Sequence, residues 1–315
     1  MMSIYIVEGG MLTTVQDEGR FGYQQSGVSP AGPMDSHAFH IANILVDNDM
    51  CESALEITYL GPTIQFQASN IIAITGGNLQ PQLNGQPFPM YEAVKVEAGS
   101  VLSFAGPCNG CRGYIAFAGG LDVPVVMGSK TTLVRNKMGG VEGRKLEKGD
   151  VIMFSCAKDT LPNMQLRKMR QPIYPTNEIS VRVVLGPQDD YFDRDGIHQF
   201  FWNSAVITSE FDRMGCRLEC EPLTQLGDGN IISDGIACGA IQVPANGKPI
   251  IMLVERQTTG GYPKIGTVIS VDLPKIAQAQ PGFKICFVQV SLELAQDLYE
   301  RELKELAEIE NRLRG

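Results

Sequence analysis

Short apolar runs, separated by glycine, proline and asparagine, recur along the whole chain. They are rich in Ile, Val, Phe and Tyr, which is typical of β-strands bounded by turns. The runs predict strands at Ser3–Val7, Ala54–Tyr59, Ile64–Phe66, Ile71–Thr75, Val94–Val96, Val101–Phe104, Arg112–Phe117, Val151–Phe154, Ser180–Leu185, Ala205–Thr208, Arg217–Glu221, Ile241–Val243, Ile250–Glu255, Thr267–Val271 and Lys284–Val290.

Helical periodicity is rare by comparison. It predicts helices at Pro33–Val46, Pro187–Phe192 and Leu273–Ala277, and a longer one at Leu292–Arg314. In the last segment apolar residues recur every three to four positions, and charged residues fill the rest. Because strands and helices do not alternate regularly, a doubly wound parallel sheet is disfavoured, and a mainly β fold of barrels or sandwiches is predicted.

One proline-rich stretch without periodicity divides the strands into two groups of similar size. We predict a first β domain at 1–160, a linker at 161–178, a second β domain at 179–290 and a C-terminal helix at 291–315. The tripeptide Leu-Gly-Pro follows a strand in each half, at 60–62 and 185–187, which favours related domains without proving it.

Composition and charge exclude several classes of protein. The 26 basic and 35 acidic residues give a net charge of −9, which disfavours nucleic-acid binding through a basic field. A hydrophobic content of 43% disfavours disorder, and no apolar run is long enough to cross a membrane. The N-terminus lacks the pattern of a signal peptide, so we expect a cytoplasmic protein whose eight cysteines are reduced thiols.

The densest group of reactive side chains is the segment Arg256–Lys264, which follows an apolar strand. It combines two cations, an amide and two hydroxyls on a loop that contains Gly260 and Gly261. Such a loop can present backbone N–H groups and cations to a carboxylate or a phosphate. We favour this interpretation over a solvated hairpin turn.

Two further segments carry similar chemistry with weaker support. Thr13–Tyr23 combines hydroxyls, carboxylates and Arg20, but it fits a polar loop with an internal Asp17–Arg20 pair equally well. In Asp212–Leu218, Arg213 lies two residues before a glycine and could face an anion, although an ion pair with a nearby acidic residue is the more ordinary explanation.

No standard nucleotide or metal motif is present. The segment 128–132 is not a phosphate-binding loop, because Ser129 separates the glycine from the lysine. Cys108 and Cys111 have metal-ligand spacing but no second pair, and His37 and His40 could share a helix face. We predict ordinary thiols and histidines at these positions and no metal site.

Ten ordered motifs nevertheless resemble one family, the biotin-dependent-carboxyltransferase-like proteins. This family, also called allophanate hydrolase subunit 2, includes the C component of 5-oxoprolinase and the sporulation protein KipA. The motifs are Thr-Thr-Val-Gln-Asp-Glu-Gly-Arg (13–20), Gly-Val-Ser-Pro-Ala-Gly-Pro-Met-Asp (27–35), Ala-Leu-Glu (54–56), Ile-Thr-Gly-Gly (74–77), Ala-Gly-Gly-Leu-Asp-Val-Pro (118–124), Gly-Ser-Lys-Thr-Thr (128–132), Gly-Arg-Lys-Leu-Glu-Lys-Gly-Asp (143–150), Arg-Met-Gly-Cys-Arg-Leu (213–218), Gly-Ala-Ile-Gln-Val-Pro (239–244) and Gln-Thr-Thr-Gly-Gly-Tyr-Pro-Lys (257–264), with Gln-Pro-Gly following at 280–282.

The resemblance implies two cyclophilin-like β-barrel domains and a function shared with partner proteins. It implies a KipI-type (allophanate hydrolase subunit 1) partner and a LamB/YcsF-type partner. Together these proteins use ATP to open 5-oxoproline to glutamate. The ring amide is unreactive, so its oxygen is phosphorylated before water attacks.

The resemblance also implies a set of site residues. Glu255 stands where many relatives carry Asp before the Arg-Gln-Thr-Thr motif, which leaves the role of this carboxylate open. The expected catalytic residues are Arg20, Asp35, Arg213, Arg256, Gln257, Tyr262 and Lys264, and the expected substrate-binding residues are Gln242, Thr258, Thr259, Gly260 and Gly261.

Two alternatives stay open on the sequence alone. One is carboxyl transfer to urea or a related amide, for which biotin would have to come from another chain because no Met-Lys-Met attachment segment is present. The other is a KipA-like regulator that antagonises a KipI-type kinase inhibitor. Binding of ATP by this chain and homo-oligomerisation are also left open.

Overall fold

The computed structural model describes residues 2–314 and shows a mainly β protein, as predicted. The chain forms two compact units. The first comprises the chain up to Arg20, Ala31–Tyr174 and the chain from Leu303 onward; the second comprises Phe21–Pro30 and Pro175–Glu302. The predicted domain boundaries at 160, 178 and 290 do not coincide with the limits of these units, and the predicted division into domains stays a prediction.

The first unit contains twelve described strands in two sheets. A seven-stranded sheet has the order β11-β12-β1-β4-β9-β6-β7, and a five-stranded sheet has the order β2-β3-β10-β5-β8. The strands are β1 (Ser3–Glu8), β2 (Leu12–Gln16), β3 (Ala54–Thr58), β4 (Thr63–Phe66), β5 (Asn70–Asn78), β6 (Pro81–Leu83), β7 (Gln86–Pro87), β8 (Ala93–Val96), β9 (Val101–Phe104), β10 (Asn109–Phe117), β11 (Leu121–Asp122) and β12 (Val151–Phe154).

Two apolar clusters stabilise this unit. Residues from both sheets form the first cluster, which includes Ile6, Ile57 and Phe117. The second contains α1 (Ser36–Leu45) and side chains of β5 and β10, together with Leu306 and Ile309 of the C-terminal helix. Burial of these side chains is the main favourable contribution to the unit's stability.

In the second unit, seven strands form a closed barrel in the order β13-β20-β17-β18-β15-β14-β21. All neighbours are antiparallel except β13 and β21, whose parallel pairing includes Glu178 opposite Lys284. A separate two-stranded sheet joins β16 and β19. The strands are β13 (Glu178–Leu185), β14 (Ala205–Phe211), β15 (Gly215–Glu219), β16 (Asp234–Gly235), β17 (Ala240–Gln242), β18 (Ile250–Met252), β19 (Thr259–Gly260), β20 (Lys264–Val268) and β21 (Lys284–Gln289).

The second unit also contains α2 (Arg194–Trp202), α3 (Leu273–Ala277) and the first turns of α4 (Leu292–Arg314). The helices predicted at 273–277 and 292–314 are confirmed with the same bounds. The helix predicted at Pro187–Phe192 is wrong, because that segment contains only a 3-10 turn at Asp189–Tyr191. Helix α2 follows it and is capped by Asp193, which accepts a hydrogen bond from the Gly196 amide.

The proline-rich stretch contains an arginine that is fully buried in the first unit. Arg167 donates to the carbonyls of Ile44 and Leu45 at the end of α1 (3.0 and 3.1 Å) and to that of Leu313 in α4 (3.2 Å). It also pairs with Asp47 at 2.9 Å. One guanidinium therefore donates to terminal carbonyls of two helices, the groups that have no partner within a regular helix.

The segment Thr13–Tyr23 is also not wholly a loop. Leu12–Gln16 form β2, which pairs with β3, and Thr13, Thr14 and Gln16 are buried. Within the described residues, no helix has the length and apolar character needed to cross a membrane.

Candidate functional site

Three neighbouring strands of the barrel place Arg217, Ile250 and Gln242 in one row. Arg217 of β15 lies opposite Ile250 of β18, and Ile250 lies opposite Gln242 of β17. Residues in register across a sheet share a face. The adjacent row of Cys216, Ile251 and Ile241 is fully buried inside the barrel, so the first row faces outward.

A two-stranded flap covers part of this outer face. We define the flap as residues 231–236 and 256–262, which include β16 and β19. The Ile231 amide donates to the Gly261 carbonyl (2.9 Å), and the Ile236 amide donates to the Thr258 carbonyl (3.0 Å). Ile236 then packs with Ala240 and Met252 on the barrel's outer face.

Between the flap and the strands lies a cavity of about 640 Å³, which we name the outer pocket. That volume is within the range of small-molecule binding sites. The pocket is lined by Ser209, Glu210, Phe211, Asp212, Met214, Gly215, Arg217, Gln242, Ile250, Met252, Gln257 and Tyr262.

Gln242 provides the clearest indication that the outer pocket binds a ligand. Its side chain is only 4% exposed, and its amide nitrogen has no hydrogen-bond partner within the described chain. A buried donor left unpaired costs about 1–3 kcal/mol, a cost that an acceptor on a ligand would remove. A Cβ at position 260 would lie 2.6 Å from this nitrogen, so Gly260 is what permits the close approach.

The cations predicted to hold an anion are instead bonded within the second unit. Arg213 Nε lies 2.5 Å from Glu255 Oε1, and both side chains are buried. The sequence left the role of the Glu255 carboxylate open, and the structure shows this carboxylate paired with Arg213. Lys264 is 4% exposed and forms a close ion pair with Asp234 of the flap. Gln188 donates to the same carboxylate at 3.1 Å.

Arg256 is buried as well and makes bonds to backbone carbonyls. Its Nε donates to the Ile236 carbonyl at 2.9 Å, which fixes the flap. Burial lowers the pKa of its guanidinium. The other predicted residues of this segment form the flap itself: Gln257 and Tyr262 line the outer pocket, Thr259 and Gly260 form β19, and Thr258 and Gly261 accept the flap's backbone bonds.

Arg20 and Asp35 belong to the first unit, where both are buried. Arg20 donates to the carbonyls of Val126 (2.8 Å) and Thr131 (3.0 Å) and so fixes that loop. Asp35 caps α1 by accepting a hydrogen bond from the Ala38 amide (2.9 Å). These contacts explain both residues structurally, and their catalytic roles stay predictions.

The carboxylate of Asp17 is bound by the segment at 128–132. It accepts hydrogen bonds from the hydroxyls of Ser129 and Thr131 and from the Lys130 amide, each at 2.6 Å. The segment that superficially resembles a phosphate-binding loop therefore encloses a carboxylate of the protein itself.

Sequence reasoning missed four charged or aromatic residues of the pocket wall, namely Glu210, Phe211, Asp212 and Arg217. Arg217 stands in the motif that drew attention to Arg213, but an arginine on an alternating strand is normally solvated. Only the pairing of β15, β18 and β17 shows that it shares a row with Gln242.

The candidate metal ligands do not assemble into a site. Among residues 2–314, no group of three or more His, Cys, Asp or Glu side chains could hold a metal ion. His40 bonds to Glu18 at 2.8 Å. Cys108 is exposed and Cys111 is buried, and burial raises the pKa of the Cys111 thiol.

Comparisons with known proteins extend over most of the chain. A family model described as "Carboxyltransferase domain, subdomain A and B" matches residues 26–289. The chain is 39% identical to the 5-oxoprolinase C component of Escherichia coli over 290 residues, 92% of each protein. It is 34% identical to the 5-oxoprolinase C component of Haemophilus influenzae over 285 residues, 90% of each.

A solved structure gives the same relationship at the level of the fold. The crystal structure of the Kluyveromyces lactis urea amidolyase superposes with a TM-score of 0.90 and 30% sequence identity. The match covers 98% of this chain but 20% of that much longer one.

Proposed function

The chain belongs to the family of the carboxyltransferase domain, subdomains A and B, and from that premise we propose that it is the C component of an ATP-dependent 5-oxoprolinase. The observation that carries the proposal is the 39% identity to a protein of that name over 92% of both chains. The enzyme would hydrolyse 5-oxo-L-proline to L-glutamate as a complex.

The outer pocket supports this reaction through Gln242. The unpaired amide N–H can donate to the carbonyl oxygen of a small cyclic amide. A donor in a buried position orients that carbonyl for phosphorylation, and it later stabilises the negative charge that develops on the same oxygen when phosphate leaves. Gln257 and Tyr262 lie on the same wall and are proposed to orient the ring.

Arg213, Arg256 and Lys264 act indirectly in this proposal. Arg256 and Lys264 bond the flap through Ile236 and Asp234, so they hold Gln257 and Tyr262 against the pocket. Arg213 fixes the turn before β15 through Glu255. They are positioning residues rather than groups that contact the substrate.

The outer pocket does not fit ATP. Its described lining contains one cation, Arg217, against the carboxylates of Glu210 and Asp212. A single cation that is already paired with Glu210 cannot neutralise a triphosphate, which carries about four negative charges. We therefore propose that ATP binds to another protein of the complex, and we place a KipI-like partner and a LamB/YcsF-like partner in that complex.

The test is reconstitution with the two partner proteins from the same genome. The complete complex is expected to release glutamate from 5-oxoproline only when ATP is present. Gln242→Leu is expected to lower kcat about 100-fold, the usual effect of removing one donor to a developing oxyanion. Its melting temperature should not fall, because leucine removes an unsatisfied donor.

Gln289→Leu, an exposed position on β21, is the matched control and should keep full turnover. A properly assembled complex that releases no glutamate with ATP would contradict the proposal.

One alternative has a specific observation in its favour, the superposition on urea amidolyase at a TM-score of 0.90. In that case the chain would transfer a carboxyl group to urea or a related amide. The apolar and amide lining of the outer pocket fits the neutral ureido ring of biotin, which Gln242 and Gln257 would hold. Biotin would supply the carboxyl group. Carboxylation of urea with a biotinylated carrier, and no cleavage of 5-oxoproline, would establish it.

A further inference from the structure

Among the described residues that line the outer pocket, Arg217 is the one cation. The other nearby arginines and Lys264 are buried and bonded to Glu255, to carbonyls and to Asp234. Arg217, by contrast, has a side chain that is 53% exposed. A carboxylate that enters the pocket can therefore reach this guanidinium without breaking a buried bond.

The present partner of Arg217 is easily exchanged. Arg217 Nε lies 2.8 Å from Glu210 Oε2, and the Glu210 side chain is 73% exposed. Exposed ion pairs of this kind contribute about 0–1 kcal/mol. A ligand carboxylate can take the place of Glu210 and accept two parallel hydrogen bonds from the planar guanidinium.

The sheet fixes how far Arg217 stands from Gln242. Ile250 separates them in the row, and neighbouring strands are about 4.8 Å apart, so the two Cα atoms are about 10 Å apart. Both side chains are long enough to converge on a single small ligand. Ile250 lies beneath such a ligand and offers an apolar surface to ring methylene groups.

Asp212, the second carboxylate that lines the outer pocket, does not take part in this exchange. Asp212 Oδ1 accepts hydrogen bonds from the amides of Met214 (2.7 Å) and Gly215 (3.1 Å). It closes the turn between β14 and β15 and stays in place when Glu210 is displaced.

We infer that Arg217 binds the carboxylate of the substrate while Gln242 binds its amide carbonyl, so that the outer pocket selects small cyclic amides that carry a carboxylate. The inference rests on the proposed function for the identity of the reaction. The pocket then distinguishes 5-oxoproline from neutral amides by a group remote from the bond that is cleaved.

The experiment measures binding to the full chain by ligand-observed NMR, without turnover. The probes are 5-oxoproline and 2-pyrrolidinone, which has the same ring without the carboxylate. The wild-type protein is expected to prefer 5-oxoproline. Arg217→Gln should weaken 5-oxoproline binding about tenfold or more and leave 2-pyrrolidinone unchanged, since a hydrogen bond to a charged group is stronger than one between neutral groups.

Two variants make the result specific. Glu210→Gln removes the competing carboxylate and should tighten 5-oxoproline binding. Arg194→Gln, at an exposed position on α2, makes the same charge change elsewhere in the second unit and should have no effect.

The inference is overturned if the wild-type chain shows no preference for the carboxylated ring, including no binding of either probe, or if Arg217→Gln keeps that preference. Failure of the proposed function has a different signature. The complete complex would then release no glutamate, although Arg217 still binds the carboxylate.

Discussion

At the scale of single residues, the contact between Gln242 and Gly260 links the flap to the pocket's chemistry. The glycine is not in the left-handed region, so its backbone would accept alanine. Glycine is therefore needed at position 260 because a Cβ would crowd Gln242, and not because of its backbone conformation.

We expect Gly260→Ala to weaken ligand binding without unfolding the protein. The new methyl group would lie 2.6 Å from Gln242 Nε2 and 2.7 Å from Ile236 Cδ1, both ends of flexible side chains that can move. Gly235→Ala on the facing strand is the matched control, because nothing lies within 4 Å of its Cβ position. The binding of 5-oxoproline and the melting temperature should be measured for both variants. If the two variants bind 5-oxoproline equally well, ligand binding does not depend on the present position of the Gln242 side chain.

A second residue-scale prediction concerns Cys51, an exposed thiol. Partial burial and the carboxylates of Glu18, Asp49 and Asp17 raise its pKa to about 12. Its thiolate fraction at pH 8 is then about one in ten thousand. The rate of alkylation by iodoacetamide, followed by peptide mass spectrometry, should increase about tenfold per pH unit between about pH 8 and pH 11. Glu18→Gln should accelerate it, and a plateau near pH 9 would refute the shift.

The side chains around the pocket show what sequence reasoning can reach. The density of polar groups at 256–264 predicts a site, and this segment does supply Gln257 and Tyr262 to the pocket wall. The same reasoning cannot foresee that Arg256 and Lys264 bond to Ile236 and Asp234, because those partners lie about 20 to 30 residues away.

At the scale of elements, Arg167 joins the ends of two helices in the first unit. We expect Arg167→Ala to lower the free energy of unfolding of this unit by about 3 kcal/mol or more, since it removes a fully buried guanidinium together with its bonds to Asp47 and to the carbonyls of Ile44 and Leu45. Urea unfolding followed by circular dichroism measures the loss. Arg170→Ala, at an exposed position a few residues away, should stay within about 0.5 kcal/mol of wild type. Similar losses in both variants would contradict the assignment.

The helices show why some elements are predictable from sequence and others are not. Helix α4 is predictable because its apolar stripe has helical spacing, and the buried part of that stripe is Leu306, Ile309 and Leu313. Helix α2 is only nine residues long and contains Gly196, so its short apolar stripe is a weaker signal. The role of Arg167 is hidden for another reason: its partners Ile44 and Leu45 are distant in sequence.

At the scale of the whole molecule, a buried carboxylate makes stability depend on pH. Burial alone would raise the pKa of Asp272, but hydrogen bonds from Arg182 and Lys275 outweigh it and lower the pKa below its ordinary value. A lowered folded-state pKa contributes stability above the unfolded-state pKa of about 3.9, and that contribution disappears as the pH falls through the folded-state value.

Asp272→Asn is therefore expected to destabilise the second unit by about 3 kcal/mol at pH 7, because Arg182 loses its bidentate partner. The difference from wild type should hold from about pH 5 to pH 7 and shrink below about pH 4. Urea unfolding across this pH range tests it, with Asp297→Asn on the exposed face of α4 as the control. An undiminished difference in strong acid would show that the carboxylate's charge is not the cause.

The parallel pairing of β13 with β21 also has a consequence for how the chain is made. The barrel closes only when Lys284–Gln289 meets Glu178–Leu185, and the first unit's core includes Leu306, Ile309 and Leu313. The second unit therefore cannot close before β21 has left the ribosome, and the first unit cannot complete its core before α4 has. Until then, strand edges and apolar surfaces stay open to other molecules. Premature termination within α4 would for this reason damage the first unit, whose strands were all synthesised long before.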